Sequence, residues 1–147
     1  MRRGFTLIEM ILVLAIMSII GGSSVVTVRY YNAMQNKVDA DYYCNAVVSF
    51  INNSKMYCRE NSHIGTITFD VIRNEMKLDI DMHEINKLTL SNKTRLYQVN
   101  GRRSDNDIVT DNIGYSNDAC TIILKDKNLL LHTITMRVGT AYVKIIK

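Results

Sequence analysis

A single carboxylate, Glu9, stands inside an otherwise apolar run at residues 5–28. A charged side chain at the centre of a membrane span costs roughly 2.5–3.5 kcal/mol on insertion scales, so such groups are rare and are presumed functional. Two arginines and a glycine, Arg2, Arg3 and Gly4, stand directly before the run. The first hypothesis is therefore a function that needs one acid, near the start of a membrane helix, behind a short basic leader.

The rest of the chain shows no arrangement of residues that is typical of an active site. His63, His83 and His132 are isolated and lack the spacing of metal ligands. The sequence has no glycine-rich phosphate loop, no nucleophile elbow and no Cys-x-x-Cys pair. We therefore expect no enzymatic activity, no cofactor and no metal. A calcium site remains an alternative for one acidic loop, which contains Asp105, Asp107, Asp111 and Asp118.

Composition indicates one small globular domain in addition to the apolar run. The chain has 147 residues, of which 47% are hydrophobic and 22% are charged, which is ordinary for a folded domain. The formal net charge of +4 includes Arg2 and Arg3, so charge alone does not indicate nucleic-acid binding. Arg102 and Arg103, with Lys93 and Arg95, could form a DNA-binding patch, but adjacent arginines at a turn are usually just solvated.

The three cysteines, Cys44, Cys58 and Cys120, are a poor basis for disulfides because their number is odd. Cys44 and Cys58 would lie about 21 Å apart on one helix, which is too far for a bond. Pairing of either with Cys120 remains possible. The simpler interpretation is three small, buried apolar side chains.

Residues 5–28 would form a helix about 36 Å long, enough to cross a hydrocarbon core of about 30 Å. Arg2 and Arg3 favour a cytoplasmic N-terminus with the rest of the chain outside. Gly21 and Gly22 predict a bend or local melting near the far end, since glycine costs about 1 kcal/mol per helical position. Tyrosines 30 and 31 would lie at the membrane interface.

An ordinary secretory signal is the alternative interpretation of this segment. Gly22, Ser23 and Ser24 offer small residues for a cleavage site. The short basic region and the acid in the first turn argue against it. Under this alternative, the chain would be a membrane-anchored or secreted β-rich binding protein.

Residues 29–61 continue the helix with an apolar stripe at steps of three and four residues. The stripe consists of Met34, Val38, Cys44, Val47, Val48, Ile51 and Cys58. After Gly65 the period changes to two: Ile67, Phe69 and Val71 alternate with polar residues, and so do Met76, Leu78, Ile80 and Met82. These two segments predict a β-hairpin.

Further strands are predicted at residues 88–90, 96–99, 108–109, 120–125, 129–138 and 141–146. Turns are predicted at Asn100 and Gly101, at residues 126–128, and at Gly139 and Thr140. The expected fold is α+β: a long N-terminal helix, transmembrane in its first half, with an antiparallel β-sheet head on its amphipathic second half. The expected parts are a short leader (residues 1–4), the transmembrane half of the helix (5–28), its amphipathic half (29–61) and a β-rich globular head (62–147).

The order basic, Gly, Phe, small polar, apolar, apolar, Glu at residues 2–9 resembles the leader and first turn of type IV pilins and pseudopilins. The resemblance implies that prepilin peptidase cuts between Gly4 and Phe5 and N-methylates Phe5, while Arg2 and Arg3 hold the leader in the cytoplasm. Glu9 would pair with the Phe5 ammonium of a neighbouring subunit. Opposite charges in apolar surroundings are each costly alone and attract strongly together.

The resemblance also implies the partners and the location of the chain. The partners would be prepilin peptidase, other pilin or pseudopilin subunits and a platform protein in the membrane. The chain would be a single-pass inner-membrane protein that later enters a filament, serving pilus biogenesis, type II secretion or DNA uptake. The C-terminal pattern at residues 120–124 and 134–143 is similar to that of H-type minor pseudopilins and their competence-filament counterparts.

Overall fold

One long helix followed by eight strands makes up the chain in this computed structural model, which describes residues 6–101, 106–116, 118–138 and 143–146. The predicted α+β class is confirmed. The elements are α1 (Leu7–Asn61), β1 (Gly65–Asp70), β2 (Glu75–Ile80), β3 (His83–Thr89), β4 (Thr94–Gly101), β5 (Asp107–Thr110), β6 (Cys120–Asp126), β7 (Leu131–Met136) and β8 (Val143–Ile146).

Helix α1 passes through Gly21 and Gly22 without interruption, so the predicted local melting is wrong. Each glycine adds a local cost, but helix propagation is cooperative and the apolar residues before and after them keep the ladder intact. The residue after the helix, Ser62, has a left-handed backbone conformation with a φ of 56°. The N–H of His63 then donates to the carbonyl of Cys58 at 3.0 Å, which satisfies one of the last helical carbonyls.

The chain divides into two compact units, Met1–Lys37 and Val38–Lys147. The described part of the first unit is Thr6 and the N-terminal part of α1, with all side chains exposed except that of Asn36, which is half-buried. The second unit contains the remainder of α1 and all eight strands, and we call it the head. It holds the hydrophobic core.

The strands of the head form two antiparallel sheets, in the orders β3-β2-β1-β5 and β4-β6-β7-β8. The predicted hairpin is confirmed as β1 and β2, in which Ile67 lies opposite Leu78. The predicted turn at Asn100 and Gly101 is wrong, because both residues continue β4 opposite Thr121 and Cys120. The predicted turn at residues 139–140 lies outside the described residues.

The core combines one face of α1 with the inner faces of both sheets. Four members of the predicted helical stripe are fully buried, namely Cys44, Val47, Ile51 and Cys58. Val48 is partly buried against the core. Met34 and Val38 are exposed at 57% and 58%, so their predicted burial is wrong, and the first buried helix residue is Ala40. Met82, predicted to continue a strand face, lies exposed in the β2–β3 turn with φ 65°.

Asn74 joins the two sheets at one end of the head. Its side-chain Nδ2 lies 3.2 Å from the carbonyl oxygens of Leu90, Ser91 and Thr94. Its Oδ1 accepts a hydrogen bond of 2.7 Å from the N–H of Leu96 in β4. One side chain in the β1–β2 turn therefore fixes the position of the chain that leads from β3 into the second sheet.

Candidate functional site

Thr6 is the cap at which α1 begins. Its carbonyl oxygen accepts the N–H of Glu9 at 3.1 Å and the N–H of Met10 at 3.3 Å. Its own N–H and hydroxyl both donate to Oε2 of Glu9, at 2.7 and 2.9 Å. The Glu9 side chain thus satisfies a backbone donor at the helix start, as the third residue of a capping box does.

This cap does not saturate the Glu9 carboxylate. Both bonds from Thr6 end on the same oxygen, Oε2. An ionised carboxylate offers about four acceptor positions on its two oxygens. Glu9 can therefore cap its own helix and still accept donors from another molecule.

The apolar side chains around Glu9 are exposed on every side of the helix. Between Leu7 and Val28 the large hydrophobic residues are exposed by 45% (Val13) to 79% (Leu7). Helix α1 is long and apolar enough to cross a membrane. A helix that is apolar all round needs lipid or other apolar helices as its surroundings.

The hydroxyl groups within this apolar segment are satisfied by the helix itself. The hydroxyl of Ser18 donates to the carbonyl of Leu14 at 2.8 Å. Those of Ser23 and Ser24 donate to the carbonyl of Ile20 at 2.9 and 2.8 Å. Such internal bonds are what polar side chains require in lipid, where no water can replace them.

Comparison with known proteins bears on the same segment. A family model described as the prokaryotic N-terminal methylation motif matches residues 1–25. The chain carries a type IV pilin-like prepilin leader. No curated protein matches the chain, and no solved structure does. The matched residues include Gly4, Phe5 and Glu9, whereas the head lies outside the match.

The prepilin leader implies processing by prepilin peptidase and assembly with other pilin subunits. Together with the exposed apolar helix, it is consistent with membrane anchoring. Four of the predicted leader residues, Arg2, Arg3, Gly4 and Phe5, lie outside the described residues. The fifth predicted site residue, Glu9, lies in the first turn of α1.

Thr6 is the residue near the prepilin leader that sequence reasoning missed. The signal was present, because Thr6 and Glu9 have the Thr-x-x-Glu spacing of a capping box. The direct bonds to Thr6 give the carboxylate a defined position before any neighbour contacts it.

The acidic loop is built by turn hydrogen bonds. Oδ1 of Asp111 accepts the N–H groups of Ile113 and Tyr115 at 3.0 and 2.7 Å. Asp107 and Asp118 both have polar or electrostatic partners, and Asp105 lies outside the described residues. Within the part of the chain that the structure describes, no group of three His, Cys, Asp or Glu side chains could hold a metal ion.

None of the three cysteines forms a disulfide, and all three are buried in the head, as the simpler interpretation predicted. Burial raises the pKa of the Cys120 thiol to about 11. Burial is also the main cause that raises the pKa of Cys58. Because the thiolate is the reactive form, both thiols are suited to packing rather than to redox or nucleophilic chemistry.

Proposed function

We propose that this prepilin precursor is a minor pilin or pseudopilin, a structural subunit of a type IV filament system with no catalysis of its own. The observation that carries the proposal is the methylation motif over residues 1–25, which contains one acid in an exposed apolar helix. Before assembly the lipid bilayer covers that helix. In a filament, the same helices of neighbouring subunits cover one another.

Removal of the leader between Gly4 and Phe5 creates the group that Glu9 needs. Hydrolysis of that peptide bond leaves an α-amino group on Phe5. Prepilin peptidase transfers a methyl group to the neutral amine from a methyl donor, and the methylated amine is then protonated to an ammonium. The ammonium of one subunit pairs with the Glu9 carboxylate of the next. This pairing removes two uncompensated charges from apolar surroundings and fixes the axial position of one helix on its neighbour.

The direction of insertion follows from the same residues. Arg2 and Arg3 keep the leader in the cytoplasm, so the head lies on the outer side of the inner membrane. The subunit is extracted from the membrane by an assembly machine that includes a platform protein. Whether this machine serves motility, secretion or DNA uptake depends on those partners.

A minor rather than a major subunit fits the cysteines of the head. Major pilins of many bacteria with two membranes close a C-terminal disulfide loop. Here Cys120, in β6, is a free and buried thiol. The H-type minor pseudopilins and their competence counterparts are therefore the subgroup that we propose, on the pattern of residues 120–124 and 134–143.

The test separates charge pairing from helix capping. Glu9→Gln keeps a side chain that can accept the Thr6 N–H but removes the charge. We expect Glu9→Gln and Glu9→Ala to insert in the membrane and to be absent from purified filaments. The readout is the amount of this subunit in the sheared filament fraction and in the membrane fraction.

Glu60→Gln is the matched control, because Glu60 is exposed near the other end of α1. This variant should enter filaments at the level of the unmodified chain. Normal incorporation of Glu9→Gln would show that capping is the whole role of this carboxylate and would refute the assembly mechanism.

A further inference from the structure

A basic cleft lies at one edge of the second sheet, away from the residues of the prepilin leader. Its volume is about 360 Å³, and its lining consists of Asn92, Lys93, Arg95, Lys125, Asp126, Lys127 and Leu129. The carboxylate of Asp126 is engaged by the N–H of Leu130 and by the ring of His132. These residues come from the β3–β4 loop, the first part of β4, and the end of β6 with its following turn. Four cations from three separate parts of the chain therefore converge on one cleft.

Two of these cations face each other directly. Arg95 in β4 lies opposite Lys125 in β6, an arrangement in which like charges repel. Nζ of Lys125 in turn lies over the ring of Tyr97, 5.2 Å from the ring centroid. None of the ion pairs among the described residues includes Arg95, Lys125 or Lys127. An external anion would relieve this repulsion.

Three consecutive leucines project beside the cations. Leu129, Leu130 and Leu131 are exposed by 69%, 60% and 56%. Single exposed leucines are ordinary on a protein surface, but a run of three at the tip of a hairpin marks an interaction site. Leu131 lies opposite Lys125, so the apolar tip and the cations share one face of the sheet.

The buried side chain of Asp126 fixes the leucine turn. Its Oδ1 accepts the N–H of Leu130 at 2.8 Å, and its backbone N–H donates to the carbonyl of Leu130 at 3.0 Å. Leu129 is held with a positive φ of 67°, which is costly for a bulky side chain. The turn therefore presents the leucines in a defined conformation rather than as a loose loop.

The chain tethers this edge of the head to the membrane-spanning segment. Lys93 forms an ion pair of 2.9 Å with Asp39 of α1. Asp39 follows the apolar run, which ends at Val28, by so few residues that even an extended chain could separate them by about 40 Å at most. While the subunit is anchored, Asp39 is therefore no more than about 40 Å from the end of the apolar run.

We propose that this surface, which we call the basic edge (Arg95, Lys125 and Lys127 with Leu129, Leu130 and Leu131), docks on an anionic lipid membrane. The three cations bind lipid phosphates, and the leucines enter the interfacial region beneath them. Basic residues next to exposed apolar side chains are the combination that binds such surfaces. The contact would hold the head against the bilayer until the subunit is extracted.

A tryptophan reporter tests the proposal in the full chain, since the sequence contains no tryptophan of its own. The Leu130→Trp variant is placed, one copy per disc, in lipid nanodiscs with or without anionic phosphatidylglycerol. With the anionic lipid we expect blue-shifted emission and quenching by brominated acyl chains. The control is Ile113→Trp, at a side chain that is 59% exposed and lines a different cleft, beside Arg59 near the end of α1; its emission should not respond to the lipid.

A second pair of variants tests the charges in the Leu130→Trp background. Replacing Lys125 and Lys127 by glutamine should weaken docking roughly 25-fold, about fivefold for each basic residue near an anionic surface. Arg59→Gln, a charge change at an exposed position in the last turn of α1, is the control and should leave docking unchanged. Raising the salt to about 1 M, where the Debye length is about 3 Å, should also release the head.

Three results would overturn the proposal. One is identical emission of the Leu130→Trp variant in anionic and neutral discs. Another is a response that requires two copies per disc, which would assign the basic edge to a second subunit. The third is a response to a short DNA duplex that exceeds any response to anionic lipid, which would assign the cations to nucleic acid. Failure of filament assembly would affect none of these measurements.

Discussion

The carboxylate of Glu9 accepts two hydrogen bonds from Thr6, from its backbone N–H at 2.7 Å and from its hydroxyl at 2.9 Å. The acid on which the proposed assembly depends is therefore already positioned within a single subunit. Thr6 would be the second residue of the processed chain, directly after the methylated Phe5. One residue thus links the proposed cleavage position to the acid that pairs between subunits.

Thr6→Ala should reduce incorporation into filaments by about fivefold, because it removes the hydroxyl that donates to Glu9, and such a hydrogen bond typically contributes about 1 kcal/mol. Thr6→Ser keeps the hydroxyl and should assemble normally. The measurement is the amount of each variant in the filament fraction, with the mass of the mature chain as a check that the leader is removed. Equal incorporation of Thr6→Ala and Thr6→Ser would show that the hydroxyl has no part in assembly.

Asn74→Ala should destabilise the head by roughly 1–3 kcal/mol, since it leaves buried or partly buried backbone groups without partners. Asn74→Asp keeps the acceptor for the Leu96 N–H but replaces the donor that faces three carbonyl oxygens, so it should also destabilise. Urea unfolding of the full chain in detergent measures both. Asn112→Ala, in an exposed turn, is the control, and a loss as large as that of Asn74→Ala would contradict this role.

Gly65→Ala should also destabilise the head, because an added Cβ would lie 2.5 Å from Sγ of Cys58 and 3.0 Å from Cδ1 of Leu78. Overpacking of this kind typically costs about 1–3 kcal/mol. Cys58→Ala removes the closest atom and leaves space for the new methyl group. The double variant should therefore lose less stability than the sum of the two single variants, and strict additivity would show that the two sites do not touch.

The ion pairs and the lowered pKa of Glu75 predict how the stability of the head depends on pH. Its carboxylate lies 2.6 Å from Nζ of Lys87 and 3.6 Å from Nζ of Lys77, which also pairs with Glu84 at 2.8 Å. The hydrogen bond from Lys87 is the main cause that lowers the pKa of Glu75 below its ordinary value of 4.5. A depressed pKa stabilises the folded state above that value, and the contribution is lost as the pH falls below it.

Lowering the pH from about 6 to about 3 should therefore reduce the Tm of the unmodified chain more than that of Glu75→Gln. Glu60→Gln, at an exposed position of α1, should follow the unmodified chain across the same range. Parallel Tm curves for all three proteins would show that Glu75 contributes nothing to the acid sensitivity of the head.

The helix, its burial stripe and the first hairpin could be predicted because their hydrophobic periodicity is strong. The sequence predicts a strand only at residues 88–90, whereas β3 spans His83–Thr89. Most side chains of β3 are exposed, so its sequence shows no alternation of polar and apolar residues. Asn100 and Gly101 have a strong local turn preference, but pairing with β6 keeps them in a strand. Periodicity indicates which residues share one face of a strand, but it does not indicate which strands pair with each other. The division into two sheets could therefore not be predicted.

The candidate site was predictable to a different degree at each residue. Glu9 was evident because a lone acid in an apolar run has no structural explanation of its own. Thr6 was overlooked because a threonine in the same run is unremarkable until the spacing to Glu9 is considered. The basic edge depends on pairing between β4 and β6, which no local pattern reveals.

The most direct test of the central claim is the mass spectrum of the N-terminal peptide of the native, mature chain. The account predicts that this peptide begins with N-methylated Phe5, with Met1 to Gly4 removed. An N-terminus at Ser23 or Val25, or an intact Met1, would contradict it and would favour a secreted or membrane-anchored β-rich protein with an ordinary signal sequence.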